Sequence, residues 1–179
     1  MRKEISKSAS RGHANYGWLD THYSFSFAEY HNPKRMGFGA LRVLNDDIVA
    51  PGGGFPFHSH ANMEIVTIPL QGTLEHKDTK GGEGLISEGD VQIMSAGTGI
   101  THSEFNHSKT EPLKLLQIWV TPEKLNIKPR YDQKKFNPKH RNNKWQILVS
   151  PRHEEALEIG QKAYFSIAKI DKSQDLQCE

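Results

Sequence analysis

Across GFGALRVLNDDIVAPGGGFPFHSH and then EIVTIPLQGTLEHKDTKGGEGLISEGDVQIMSAG, apolar stretches are repeatedly cut short by Gly, Asn, Asp or Pro, with turns at QG, KGGEG and EGD. Runs this short form strands joined by tight turns, and many short strands bury their apolar sides by closing into a sandwich or barrel. LKLLQIWVTP adds a further strand, stopped at Pro122, which cannot donate to a ladder. Residues 1–122 are therefore predicted to form one compact β-domain. Residues 123–144 change character: eight Lys or Arg stand against two acids, with Pro129 and Pro138 among them, as expected of an extended, solvated linker. WQILVSP and AYFSIAKIDK, within 145–179, read as two more strands, and RHEEALEIG is the single stretch whose pattern suits one or two helical turns. A chain of 179 residues suits one domain, or one domain and part of another.

Two histidines, His58 and His60, stand where the apolar strand region begins. Side chains at i and i+2 share a face of a strand, so these imidazoles point the same way and make half of a metal site. The other half is in GDVQIMSAGTGITHSEFNHS, where His102 and Glu104 repeat the spacing and Gly89, Gly97 and Gly99 supply turns that return the strand to the barrel. Three imidazoles and a carboxylate suit a divalent first-row cation, Fe(II), Ni, Mn, Cu or Zn, with positions open for water, dioxygen or substrate. Glu64 has the same parity as His58 and His60, and parity alone does not choose between Glu64 and Glu104 as the carboxylate ligand. His76, in LEHKD, reads as a hydrogen-bonded strand histidine. Phe55, Phe57, Ile93 and Met94 are candidates to line an aromatic pocket or to pack the core.

Charge and cysteine content narrow the setting. Lys and Arg number 23 against 21 Asp and Glu, a net charge of +2, which by itself points to neither a nucleic-acid nor a membrane partner. The basic stretch from Lys124 to Lys144 has few aromatics and reads as a connector rather than a nucleic-acid surface. The N-terminus has positive charge without an apolar segment behind it, and no run approaches the ~18 apolar residues of a membrane span, so a cytoplasmic protein is expected. The single cysteine, Cys178, cannot form an internal disulfide, and thiolate metal clusters are excluded.

The segment from Gly52 to Gly72, with H-x-H-x3-E, resembles the first cupin motif, and Gly89 to Asn106 resembles the second. RGHANYGWLDTHYSFSF, MGFGALRVLNDDIVAPGGGF, HSHANMEIVTIPLQGTLEHKD and MSAGTGITHSEFN together resemble the pirins, a branch of the cupins, over roughly residues 11 to 122. The resemblance implies an all-β, cupin-type β-barrel (a double-stranded β-helix, or jelly roll) with a C-terminal extension, one mononuclear metal usually reported as iron, and, in several members, quercetin 2,3-dioxygenase activity. It also implies a rival role, since some pirins are regulators that sense metal or redox state and bind a protein partner. In the general cupin pattern the fourth ligand matches Glu64. In pirins it matches Glu104, which gives His58, His60, His102 and Glu104 as the ligand set and leaves Glu64 a supporting carboxylate. The second motif is two residues longer than the general pattern and has Gly97 where Pro is usual, as pirins do.

By the same resemblance, a flavonol would bind through its 3-hydroxyl and 4-oxo groups, Glu104 would accept the phenolic proton, and dioxygen would cleave the ring to a depside and carbon monoxide. Pirins resemble bicupins, and residues 145–179 look like the start of a second barrel. Strands without their barrel leave open edges and apolar surface, which predicts a homodimer in which each tail covers the other subunit.

Overall fold

The computed structural model describes residues 7–177, so Cys178 lies outside the described residues. Its strands are β1 (Gly12–Asn15), β2 (Leu19–Tyr23), β3 (Leu41–Val49), β4 (Gly54–His60), β5 (Glu64–Gln71), β6 (Thr73–Asp78), β7 (Glu83–Ser87), β8 (Asp90–Ser95), β9 (Ile100–Asn106), β10 (Leu113–Val120), β11 (Arg130–Lys135), β12 (Gln146–Ser150), β13 (Leu157–Glu158) and β14 (Phe165–Ile167). Among the described residues the helical elements are two short 3-10 turns, at Ser8–Ser10 and Pro138–Arg141.

A seven-stranded sheet, ordered β1-β2-β3-β10-β5-β8-β11, faces a four-stranded sheet ordered β4-β9-β6-β7, and all ladders in both are antiparallel. Together they make the cupin β-barrel. Two apolar clusters fill its ends: Leu19, Val49, Leu74, Ile86, Leu113 and Leu115 at one, and Ile65, Met94, Ala96 and Ile100 at the other. The register places a buried polar layer between them, with Gln117 opposite Thr67 and Thr67 opposite Gln92 on one sheet, and His76 opposite Glu104 on the other. Buried polar groups on this scale are sustained only by mutual hydrogen bonds or by a ligand.

The outer face of the large sheet is apolar too. Val66, Val91, Ile93, Ile118 and Val120 pack there against Phe136, Leu148, Val149, Leu157 and Ile159. The cover is a small sheet ordered β13-β12-β14, so WQILVSP and AYFSIAKIDK do form strands and fold back on the chain's own barrel.

Two sequence expectations change here. The stretch 123–144 is not wholly a solvated linker, because β11 within it pairs with β8 along six residues and closes the edge of the large sheet. RHEEALEIG is not helical: it turns and then forms β13, parallel to β12, because Leu157 and Ile159 are drawn into the outer cluster.

The turn from β8 to β9 explains Gly97. Its φ is +48°, and a Cβ there would collide with the carbonyl oxygen of Ile127, which accepts from Thr98 N at 2.9 Å. Glycine allows the chain after β10 to lie against this turn.

Candidate metal centre

β9 lies between β4 and β6, and its pairings set the site. His58 is directly opposite His102, and His102 is directly opposite Asp78. Opposed residues share a face, so these three and their i+2 neighbours His60, Glu104 and His76 all point into the barrel. A bulge between Phe55 and His58 lets both of those side chains face inward: Phe55 packs edge-on against Trp18 at 4.9 Å, whereas Phe57 is 60% exposed.

The rings of His58, His60 and His102 converge, with centroids 4.4 Å apart for His58 and His102, 4.8 Å for His58 and His60, and 5.0 Å for His60 and His102. One ring nitrogen from each of the three lies within 4.8 Å of the others. His58 Nδ1 donates to the carbonyl of Pro56 at 2.8 Å, which leaves its Nε2 lone pair free. The Nε2 atoms of His60 and His102 are buried and have no hydrogen-bond partner. Buried nitrogens left unpaired are costly; three converging imidazoles with free lone pairs are the donor set a cation satisfies. Burial first, and then the neighbouring imidazoles, push His60 down to about 4 and His102 down to about 3, so both rings are neutral and fit to ligate near neutral pH.

Glu104 sits beside this trio in a tight polar cradle. Gln117 Nε2 donates to one carboxylate oxygen at 2.8 Å, and Gln92 Nε2 to the other at 3.2 Å. The Thr67 hydroxyl has two acceptors for one proton, Gln117 Oε1 at 3.0 Å and Glu104 Oε1 at 3.3 Å. Glu104 groups with His102 and His76 rather than with all three converging histidines.

His102 Nδ1 lies 3.5 Å from His76 Nδ1, and His76 Nε2 is 3.2 Å from an Asp78 oxygen. Burial would raise the Asp78 pKa, but the amides of Gly82 and Lys80 and the His76 ring outweigh it and hold the carboxyl below its usual range. Tyr131 of β11 stacks on His76 at 4.6 Å.

Glu64 faces the other way. It accepts from Ser95 Oγ at 2.9 Å and from the Gly160 amide at 3.1 Å, on the outer face of the large sheet. Parity with His58 and His60 did not carry across, because the turn through Asn62, at φ +51°, passes the chain from one sheet to the other. Ile93 likewise belongs to the outer cluster, and Met94 to the inner one beside Met63 and Trp119. Sequence reasoning missed Gln92, Gln117, Thr67, Asp78, Tyr131 and Trp119. Trp119 stacks edge-on against His60 at 4.8 Å and helps line a cavity of about 290 Å³ with Phe27, Tyr30, Met36, Met63 and Arg42. Its indole Nε1 is buried without a partner.

A second grouping, His13, Asp20 and His22, lies on the β1–β2 hairpin. His13 and His22 are cross-strand partners with stacked rings, and His13 Nε2 is already taken by Asp20 at 2.7 Å. Both rings are at least partly exposed, so nothing there demands a cation.

The family model described as Pirin matches residues 4–120. A quercetin 2,3-dioxygenase from Escherichia coli K12 is 51% identical over 147 residues, covering 82% of this chain and 62% of the relative. A pirin-like protein of Caulobacter vibrioides is 44% identical over 139 residues, 78% of this chain and 60% of the relative. The present chain thus spans about three fifths of the length of these curated relatives. The crystal structure of the bacterial pirin YhhW from Escherichia coli in complex with nickel(II) is 48% identical with a TM-score of 0.83, covering 88% of this chain and 67% of that one.

Proposed function

The chain belongs to the pirin family, and we propose that it is a metal-dependent dioxygenase that cleaves quercetin or a related flavonol. The observation that carries this reading is the convergence of three histidines whose ligating nitrogens are free, two of them buried and unpaired. His58, His60 and His102 would hold the ion through Nε2, and Glu104, next to His102, would supply the carboxylate ligand. Our choice of ion is Fe(II), with Ni, Mn, Cu or Zn as alternatives that imidazole and carboxylate donors also hold; the nickel complex of a relative that is 48% identical supports a divalent ion of this kind. When bound, such a cation lowers the pKa of a coordinated hydroxyl and brings an enolate and dioxygen together.

The chain's own residues do the rest. The cavity lined by Trp119, whose ring packs edge-on against His60, is at the small end of ligand sites, and its aromatic lining of Phe27, Tyr30 and Trp119 suits a planar polyphenol. Glu104 is the group placed to take the 3-hydroxyl proton. Gln117 holds one oxygen of Glu104 at 2.8 Å, and the other is held by two longer contacts, from Gln92 at 3.2 Å and from the Thr67 hydroxyl at 3.3 Å.

The setting we propose is the cytoplasm; no helix among the described residues is long and apolar enough to cross a membrane. A homodimer also belongs to this reading. The tail's inner face is covered by its own barrel, so a dimer would use the open edges β13 and β14 and the exposed Trp145, Tyr164 and Ile170.

Metal analysis of the purified protein, followed by oxygen uptake with quercetin, tests the proposal. Stoichiometric metal and metal-dependent oxygen consumption matched by carbon monoxide release are expected. Bound metal without oxygen uptake would sink the dioxygenase reading and favour the alternative, a metal- or redox-sensing regulator that binds a protein partner.

A further inference from the structure

We infer that Asp78 and His76 form a positioning pair that fixes the tautomer and ring orientation of His102, so that Nε2, and not Nδ1, is the nitrogen presented to a cation. The inference rests on the metal reading above only for its consequence; the tautomer is a property of the metal-free chain.

An imidazole carries its two nitrogens on opposite edges. His102 turns Nδ1 toward His76, and its Nε2, buried without a partner, is the nitrogen left for a cation beside the rings of His58 and His60, 4.4 and 5.0 Å away. Asp78 is acceptor-only when ionised, and both of its oxygens are engaged: Oδ1 by the amides of Lys80 at 2.7 Å and Gly82 at 3.0 Å, Oδ2 by His76 Nε2 at 3.2 Å. His76 must therefore donate from Nε2, which leaves Nδ1 an acceptor. The proton between the two Nδ1 atoms then belongs to His102, whose Nε2 lone pair is free. At 3.5 Å the bond between the rings is the loosest step of this chain, and its direction is still set by Asp78.

The surroundings are built for the pair. The side chains of His76 and Asp78 are both 0% exposed. Tyr131 stacks over His76 and holds its plane. At Gly82 an added Cβ would fall on the Asp78 carboxylate, so only glycine lets the β6–β7 turn close on it and deliver its amide. His76 turns its Nδ1 to His102 and is not one of the three rings that converge at His58, His60 and His102.

Two measurements test this. Nitrogen-15 NMR of the metal-free full chain should find His102 protonated at Nδ1; protonation at Nε2 would overturn the inference whether or not the protein binds metal. Competition titration with Ni(II) should then find His76→Phe, which keeps a ring for Tyr131 to stack on, weakened by roughly 10- to 100-fold, the range for outer partners of metal-bound histidines. His76→Gln, which restores an acceptor, should recover part of that loss. X-ray absorption of the nickel-loaded His76→Phe protein should show the same number of imidazole ligands as the parent. Unchanged affinity in His76→Phe, or one imidazole fewer, would overturn the pair's role. If the parent takes up neither Ni(II) nor Fe(II), the proposed function fails while the NMR result still decides the tautomer.

Discussion

At the scale of single residues, the barrel interior sets two opposing proton demands side by side. Burial, with His102 and His58 behind it, pushes His60 down to about 4, and burial, with His58 and His76 behind it, pushes His102 down to about 3, so folded they refuse protons that the unfolded chain accepts below about 6.5. Asp47, on β3, is pushed up to about 7 by burial, with further contributions from the Glu104 and Asp46 charges, so the folded state keeps a proton that the unfolded chain loses above about 4. The signs follow from linkage. The histidines make the metal-free protein less stable as pH falls from about 6.5 toward about 4, whereas Asp47 makes it less stable as pH rises from about 4 to about 7. Melting curves of metal-free variants should separate them: His102→Gln should gain stability relative to the parent on the acid side, and Asp47→Asn should gain it near pH 7. Parallel curves for parent and variants would contradict this account.

Loading carries a residue-scale prediction as well. His58→Ala, His60→Ala or His102→Ala should each abolish most metal uptake in a folded protein, and Glu104→Gln should weaken it. Glu64→Gln should leave metal content intact and instead lower the melting temperature, because Glu64 ties β5 to Ser95 and Gly160 on the far side of the sheet. Metal analysis of the purified variants checks the set; metal that survived loss of His102 and Glu104 but fell with Glu64 would reverse the assignment.

At the scale of elements, the i, i+2 rule was enough to see that His58 with His60, and His102 with Glu104, share faces, because each pair lies within one strand. It failed for Glu64 because a turn, not a strand, separates Glu64 from His60, and parity has no meaning through a residue at positive φ. Gln92, Gln117 and Thr67 were not legible because only the cross-strand register brings them to Glu104. β11 was hidden for a different reason. Its residues RYDQKK look like a solvated connector, since four of the six are exposed, yet Tyr131 turns inward to cover His76. This divides the strand's side chains by face and gives a prediction. Reversing charge at Lys134 and Lys135 should leave metal content unchanged, while Tyr131→Ala, which strips the stacking ring, should lower nickel affinity. The β8–β9 turn belongs to the same scale: Gly97→Ala should cost about 1–3 kcal/mol from its positive φ, and more from the clash with Ile127. Denaturant unfolding of the metal-free protein reads it, and a change below about 0.5 kcal/mol would show that the turn relaxes.

For the whole molecule, the decisive contact is between the outer face of the large sheet and the C-terminal strands. Val66, Val91, Ile93, Ile118 and Val120 are each no more than 4% exposed because Leu148, Val149, Leu157 and Ile159 lie on them. A chain ending at Lys144 would return that face to water, at about 25 cal/mol for each Å² of apolar surface. An exposed apolar sheet face of this kind aggregates or pairs. The expectation of a dimer came from the premise that each tail covers the other subunit; in the structure the tail covers its own barrel, and what remains for self-association is the pair of open edges, β13 and β14, with Trp145, Tyr164 and Ile170. Light scattering separates the two contacts. The intact chain is expected at twice its monomer mass, and Tyr164→Lys with Ile170→Lys should return it to monomer while leaving stability and metal content unchanged. The chain ending at Lys144 should aggregate or lose cooperative unfolding even with those edges absent. An intact chain that stays monomeric at high concentration would rule out the dimer and leave the fold-back as the tail's whole role.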